Sequence, residues 1–277
     1  MLLPGSGIAA PSAIETARAV NIAGRQRMLS QRMARAAFFF RLGVEEARHI
    51  EMLGDAAALF DKSLAGLRDG SSELGLATET NARVLEGIGA VEQVWEVVKP
   101  AIDSTVEARG LDDDAMETIA TANIPLLFAS DNVVDQLVWT HGKSSGDPGL
   151  AVAINISGRQ RMLSQKMAKE VAMIALGSAP RDTRRSLGET AMLFDQSLKA
   201  LINGMPALQI PKAPEHIRQK LTEVAGIWVE YGKVIGPTAA GAEVGLLALT
   251  MIAAQADPLL TTMNDAVTLY QELATTA

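Results

Sequence analysis

The sequence predicts an all-α fold made of two tandem four-helix bundles related by internal duplication, and three observations carry that prediction. Composition is the first. Apolar residues are 48% of the 277 and charged residues 21%, as in a soluble globular protein, but aromatics are only 4%. The remainder is rich in Ala, Leu and Met, which lose little rotamer freedom in a helix. Periodicity is the second: apolar residues recur at three- and four-residue spacing, and no run alternates well enough for a strand. The third is a repeat. Asn21-Ile-Ala-Gly-Arg-Gln-Arg-Met-Leu-Ser-Gln-Arg-Met-Ala-Arg35 returns as Asn155-Ile-Ser-Gly-Arg-Gln-Arg-Met-Leu-Ser-Gln-Lys-Met-Ala-Lys169.

The repeat runs through both halves. Phe60-Asp61 answers to Phe194-Asp195 at the same offset, Trp95 to Trp228, and Pro125-Leu-Leu to Pro258-Leu-Leu, the last two one residue out of step. The copies cover 12–142 and 149–277. That length is a duplicated domain, since solenoid repeats are about 20–50 residues. Gly142-Lys-Ser-Ser-Gly-Asp-Pro-Gly149, rich in chain breakers, is the expected joint.

In the first copy the pattern predicts helices over 12–42, 45–69, 73–109 and 112–141. Asp112-Asp-Asp114 supplies a cap and a negative first turn for the fourth. In the second copy they cover 149–176, 181–203, 214–235 and 240–274, with Pro206, Pro211 and Pro214 in the central connection. Pro100, Pro125 and Pro258 are points where a helix kinks or restarts. Four helices joined by short connections make an up-down bundle.

The chemistry concentrates on the first helix of each copy. Gly24, Arg27, Gln31 and Ala34 share one side, with Asn21 and Met28 beside them, while Ile22, Leu29 and Met33 form the core stripe. Gly158, Arg161, Gln165 and Ala168 repeat the pattern beside Asn155. Glycine inside a helix costs about 1 kcal/mol relative to alanine. Its presence at matched positions points to a close backbone approach or a helix irregularity. From Ala17 to Val44 there are six arginines and no acid; from Pro148 to Lys169 there are four basic residues and again no acid. If these helices pack together, Arg27 and Arg161 repel each other, and an oxyanion between the two guanidinium forks relieves the repulsion. The other reading is a solvated basic face, or pairing with acids of neighbouring helices such as Asp61 and Asp195.

The duplicated Asn-Ile-Ala/Ser-Gly-Arg-Gln-Arg-Met-Leu-Ser-Gln segment resembles the signature of PilJ-like domains. These are the N-terminal sensing domains of type IV pilus methyl-accepting chemotaxis transducers, related to the sensor domains of NarX-type nitrate/nitrite kinases. The resemblance implies a four-helix bundle outside the cytoplasmic membrane, and nitrate or nitrite held where two first helices meet. It assigns Gly24 and Arg27 in one copy, and Gly158 and Arg161 in the other, to the ligand. Asn21, Asn155, Arg25, Arg159, Gln31 and Gln165 are secondary candidates. Two modules in one chain would build internally a site that such domains usually form by dimerising.

Other function classes are disfavoured. A net charge of −7 argues against a nucleic-acid binder. The lack of cysteine removes thiol chemistry and leaves the compartment open. Glu46-x-x-His49 has di-iron spacing but no second pair, so it reads as a surface charge pair; His141 and His216 read as isolated and exposed. No cofactor is implied, and no acid–base pair or metal cluster points to an enzyme. The longest apolar run, near Val244 to Ala254, is about half of what a membrane span needs. Small residues from Ala9 to Ala13 resemble the tail of an export signal. The expectation is a periplasmic oxyanion sensor reporting to a membrane-embedded signalling or transport partner. The alternative is a ligand-free adaptor whose basic helices dock an acidic partner.

Overall fold

The computed structural model describes residues 12–141, 148–177 and 179–276. The signal-like residues 1–11 and most of the expected joint, 142–147, lie outside the described residues. The order is α1 (Ala13–Arg41), α2 (Glu46–Asp69), α3 (Ala82–Ala108), α4 (Asp113–His141), α5 (Pro148–Ala175), α6 (Thr183–Asn203), α7 (Glu215–Ala239) and α8 (Leu246–Thr276). The first four helices pack around one another, as do the last four, and α1 lies along α5 to join the two bundles. Among the described residues there is no strand, only two isolated bridges.

Local chemistry accounts for the helix ends. Ser12 and Glu15 close a capping box at the start of α1. The Asp112 carboxylate accepts the Ala115 N–H at the start of α4. The prolines at 100, 125 and 258 all sit inside continuous helices and restart none of them.

The third helix begins at Ala82, nine residues later than the periodicity suggests. Residues between α2 and α3 form a bridged loop, Ser71 to Leu76, and the Asn81 side chain caps α3. The second copy has the same device, Met205 to Ile210. Gly70 and Gly204 open these loops at φ +82° and +78°. A Cβ at either would meet backbone nitrogen, of Thr78 at 2.8 Å and of Lys212 at 2.9 Å. Glycine is required there by space as well as by dihedral angle.

Each bundle is stapled by the same aromatic pair. Phe60 lies 4.5 Å from the Trp95 ring and Phe194 4.7 Å from Trp228. The adjoining Asp61 and Asp195 accept the indole N–H groups at 2.5 and 3.4 Å. The aspartates proposed as partners for the arginines are therefore engaged elsewhere, also touching Lys99 and Lys199.

Helix α8 corrects the membrane reading. Leu246–Leu273 is long and apolar enough to cross a membrane by length and composition, although it carries Asp257, Asp265 and Glu272. Here it serves as the fourth helix of the second bundle. Ile252, Ala256, Leu259, Met263 and Val267 are buried, and the helix packs on α5 and α7.

Candidate anion site between the two bundles

Two arginines of α1, Arg27 and Arg35, are withdrawn from solvent, while Arg18 and Arg41 towards its ends are exposed. Ile22, Leu29 and Met33 face its own bundle, and the opposite side, Arg27, Gln31, Ala34 and Arg35, is also fully buried. That polar side is the seam against α5, where Arg161, Gln165, Ala168 and Lys169 are buried in turn.

Gly24 and Gly158 set the approach. A Cβ at Gly24 would lie 3.2 Å from Arg27 Nη2 and 3.7 Å from Arg161 Nη2; at Gly158 the distances are 3.4 Å to Arg161 and 3.6 Å to Arg27. Two nitrogens that both lie within 3.7 Å of one point are no more than twice that distance apart. The guanidinium ends therefore converge over the two glycines. Each reaches across the seam: Arg27 Nη2 donates to Asn155 Oδ1 at 3.0 Å and its carbonyl at 3.5 Å, and Arg161 Nη2 donates to Asn21 Oδ1 at 2.6 Å and its carbonyl at 3.3 Å.

The outer nitrogens break the symmetry. Arg27 Nη1 donates to the Asp131 carboxylate at 2.7 Å, whereas Arg161 Nη1 donates to the Asn264 amide oxygen at 2.8 Å. Both Nε–H groups are buried without a partner. Burial lowers the pKa of both guanidiniums. For Arg161, burial and then the charges of Arg27 and Arg25 push it down to about 9, so it is still a cation at neutral pH.

A second polar layer lies further along the same helices. Arg35 donates to Gln165 Oε1 at 2.7 Å and to Asp257 at 2.9 Å. Its counterpart Lys169 donates to Gln31 Oε1 and Asn123 Oδ1, each at 2.8 Å. Burial pushes Lys169 down to about 7. Asp257 also pairs with Arg32 and Arg48. Burial would raise its carboxyl pKa, but Arg35 and Arg32 outweigh that and hold it at about 2.

Of the ten residues singled out from sequence, six meet at the seam: Asn21, Gly24, Arg27, Asn155, Gly158 and Arg161. Gln31 and Gln165 belong to the second layer. Arg25 turns into its own bundle, donating to Ser63 at 3.0 Å. Arg159 is half-buried and acts on Arg27 only as a nearby charge. Sequence reasoning missed Asp131 and Asn264, although both stand six residues after the proline of a Pro-Leu-Leu segment.

The histidines need correction. His49 is buried, stacked on Phe39 at 5.0 Å, with Nδ1 2.7 Å from the Val44 carbonyl, so Glu46 and His49 are not a surface pair. His141 lies 3.1 Å from Glu79 and is not isolated. His216 is exposed. Among the described residues no group of three or more His, Asp or Glu could hold a metal ion.

Residues 10–121 and 144–249 match the PilJ model, described as the type IV pili methyl-accepting chemotaxis transducer N-terminal domain. The methyl-accepting chemotaxis protein McpN of Pseudomonas aeruginosa is 29% identical over 175 residues, 58% of this chain and 32% of that protein. The chain thus spans about a third of the length of that relative. With two matched segments covering most of its length, the chain belongs to the PilJ family of type IV pili methyl-accepting chemotaxis transducer N-terminal domains.

Proposed function

We propose that this chain is an extracytoplasmic sensor that binds one small oxyanion, nitrate or nitrite, between Arg27 and Arg161. Its two sensing modules are 12–142 and 149–277. Family membership supports a sensing and signalling role rather than catalysis. The first-helix motif resembles that of PilJ-like domains, and the kinship expected between those domains and NarX-type sensors is the ground for this choice of anion.

One observation carries the reading. Arg161 is a fully buried cation that faces a second buried arginine and, among the described residues, touches only amide and carbonyl oxygens. An isolated buried charge costs several kcal/mol, and a planar oxyanion accepting from both Nη2 groups would neutralise it. Charge-assisted hydrogen bonds contribute about 1.5–3 kcal/mol each. A few of them support micromolar affinity, about −8 kcal/mol.

Signalling follows from what the anion displaces. In this structure the two Nη2 groups hold Asn155 and Asn21 across the seam. Drawing them onto an anion releases both asparagines and resets the contact between α1 and α5. The ligand biases two arrangements of the bundles by its differential contacts, and a membrane-embedded signalling or transport partner reads the shift.

Calorimetric titration with nitrate, nitrite, sulfate and chloride tests the proposal. Saturable heat with nitrate or nitrite is expected, lost in Arg27→Ala and in Arg161→Ala and weakened in the Arg→Lys variants. No heat from ligand-free protein with any of these anions would reject it. Salt-sensitive binding to an acidic partner, with indifference to nitrate, would favour a ligand-free adaptor instead.

A further inference from the structure

We infer that Asp131 is a built-in counter-ion that lowers the anion affinity of the site, and that the choice of carboxylate or amide at the matched positions 131 and 264 sets that affinity. The inference rests on the anion-binding reading above. It starts from a contact made twice. Asp131 on α4 and Asn264 on α8 occupy corresponding places, each accepting from the Nη1 of its own copy's arginine, at 2.7 and 2.8 Å. The bond lengths differ little, so the fold orients an arginine here equally well with an amide. What Asp131 adds is charge.

That charge bears on any anion drawn to the Nη2 groups. The guanidinium of Arg27 separates Asp131 from the seam, which puts the carboxylate one side-chain fork away from an anion bound to Arg27. At such a distance like charges repel appreciably even in a partly solvated setting. The Asp131 side chain is 34% exposed and that of Arg27 0%, so water screens the aspartate only in part. The other charged groups acting on Arg27 are Arg159, which opposes its charge, and Asp135, which favours it. On the second copy's side Arg161 feels Arg27 and Arg25 and, among the described residues, no carboxylate. The anion is therefore attracted by Arg161 in full, and by Arg27 less the charge of Asp131 in contact with it and, without a contact, of Asp135. At the matched positions 131 and 264, retaining one contacting carboxylate of a possible two gives intermediate affinity, which suits a sensor that must release its ligand.

Nitrate titrations of the full chain, its Asp131→Asn and Asn264→Asp variants and the double swap test this. Asp131→Asn should tighten binding roughly tenfold and Asn264→Asp should weaken it roughly tenfold. The double swap, which moves the charge across the pseudo-axis without changing its sum, should return close to wild type. A gain of affinity is not what damage to a structural contact produces. Wild-type binding with Asp131→Asn unchanged or weaker overturns the counter-ion role alone. Wild-type protein indifferent to nitrate and nitrite overturns the binding reading, and this inference with it. If Asp131→Asn is poorly folded, Asn264→Asp decides: unchanged or tighter binding overturns the inference, and weaker binding supports it.

Discussion

The two copies contribute cations to the seam at matched positions but do not neutralise them alike. Arg27 and Arg35, from the first copy, each touch a carboxylate, Asp131 and Asp257. Their counterparts Arg161 and Lys169 touch none among the described residues and rest on Asn264 and Asn21, and on Gln31 and Asn123. The backbone repeats down to the glycines that open the α2–α3 and α6–α7 loops, so the difference arises from a few side chains. On the proposed anion-binding reading, a duplicated interface lets one half hold its charges paired while the other leaves its cations for a solute. A dimer of identical chains could not divide these tasks by sequence, because each substitution would appear twice.

The largest expected effect breaks the shared function while exposing the asymmetry. Arg27→Ala and Arg161→Ala should each reduce nitrate affinity at least about a hundredfold, the loss of one or two charge-assisted bonds. Their stabilities should differ. Arg161→Ala relieves an unpaired buried charge, whereas Arg27→Ala removes a paired one and strands Asp131. Urea unfolding should find Arg27→Ala the less stable of the two, and the reverse order would contradict the charge assignment.

The second layer gives a pH signature. Burial holds Lys169 at about 7 in the folded chain, against 10.5 ordinarily. Below about pH 7 the lysine is charged in both states and contributes no slope. As pH rises from 7 towards 9 the folded state has lost a proton that the unfolded state keeps, so stability must increase. The rise approaches about 1.4 kcal/mol per pH unit for one proton. Unfolding free energies at pH 7, 8 and 9 should show this rise in wild type and lose it in Lys169→Met, whatever the variant's absolute stability.

The smallest effect concerns the glycines. Alanine at Gly158 meets Arg161 Nη2 at 3.4 Å, an ordinary contact, while at Gly24 it meets Arg27 Nη2 at a tighter 3.2 Å. Helix propensity favours both changes by up to about 1 kcal/mol, and strain at Gly24 should offset more of that gain. Both methyl groups enter the space between the guanidinium ends. Nitrate affinity should therefore fall roughly tenfold while the unfolding midpoint holds or rises, since overpacking of this order costs about 1–3 kcal/mol. Unchanged affinity in both variants would move the anion elsewhere.

Much of this was legible in the sequence because duplication writes it twice. The matched glycines, arginines and asparagines of α1 and α5, and the absence of acids around them, mark the seam in the sequence itself. Helical periodicity placed the gap between α3 and its predecessor wrongly, because the loop before Asn81 carries Leu74 and Leu76 as anchors and so imitates a continuing helix. Asp131 and Asn264 stayed hidden for another reason. They come from helices more than a hundred residues away in the chain, and only packing tells which of many surface-patterned acids meets Arg27. Gln31 and Gln165 shared a helix side with the arginines but lie a full turn further on, where the second layer claims them.

The central claim is that the seam between α1 and α5 forms one anion site within one chain. Calorimetric titration of nitrate into the full chain, with the oligomeric state followed by light scattering across the titration, tests it most directly. One nitrate bound per chain, with no change in mass, is the expected result. Absence of binding by the wild-type chain, or a stoichiometry of one nitrate per two chains, would contradict it.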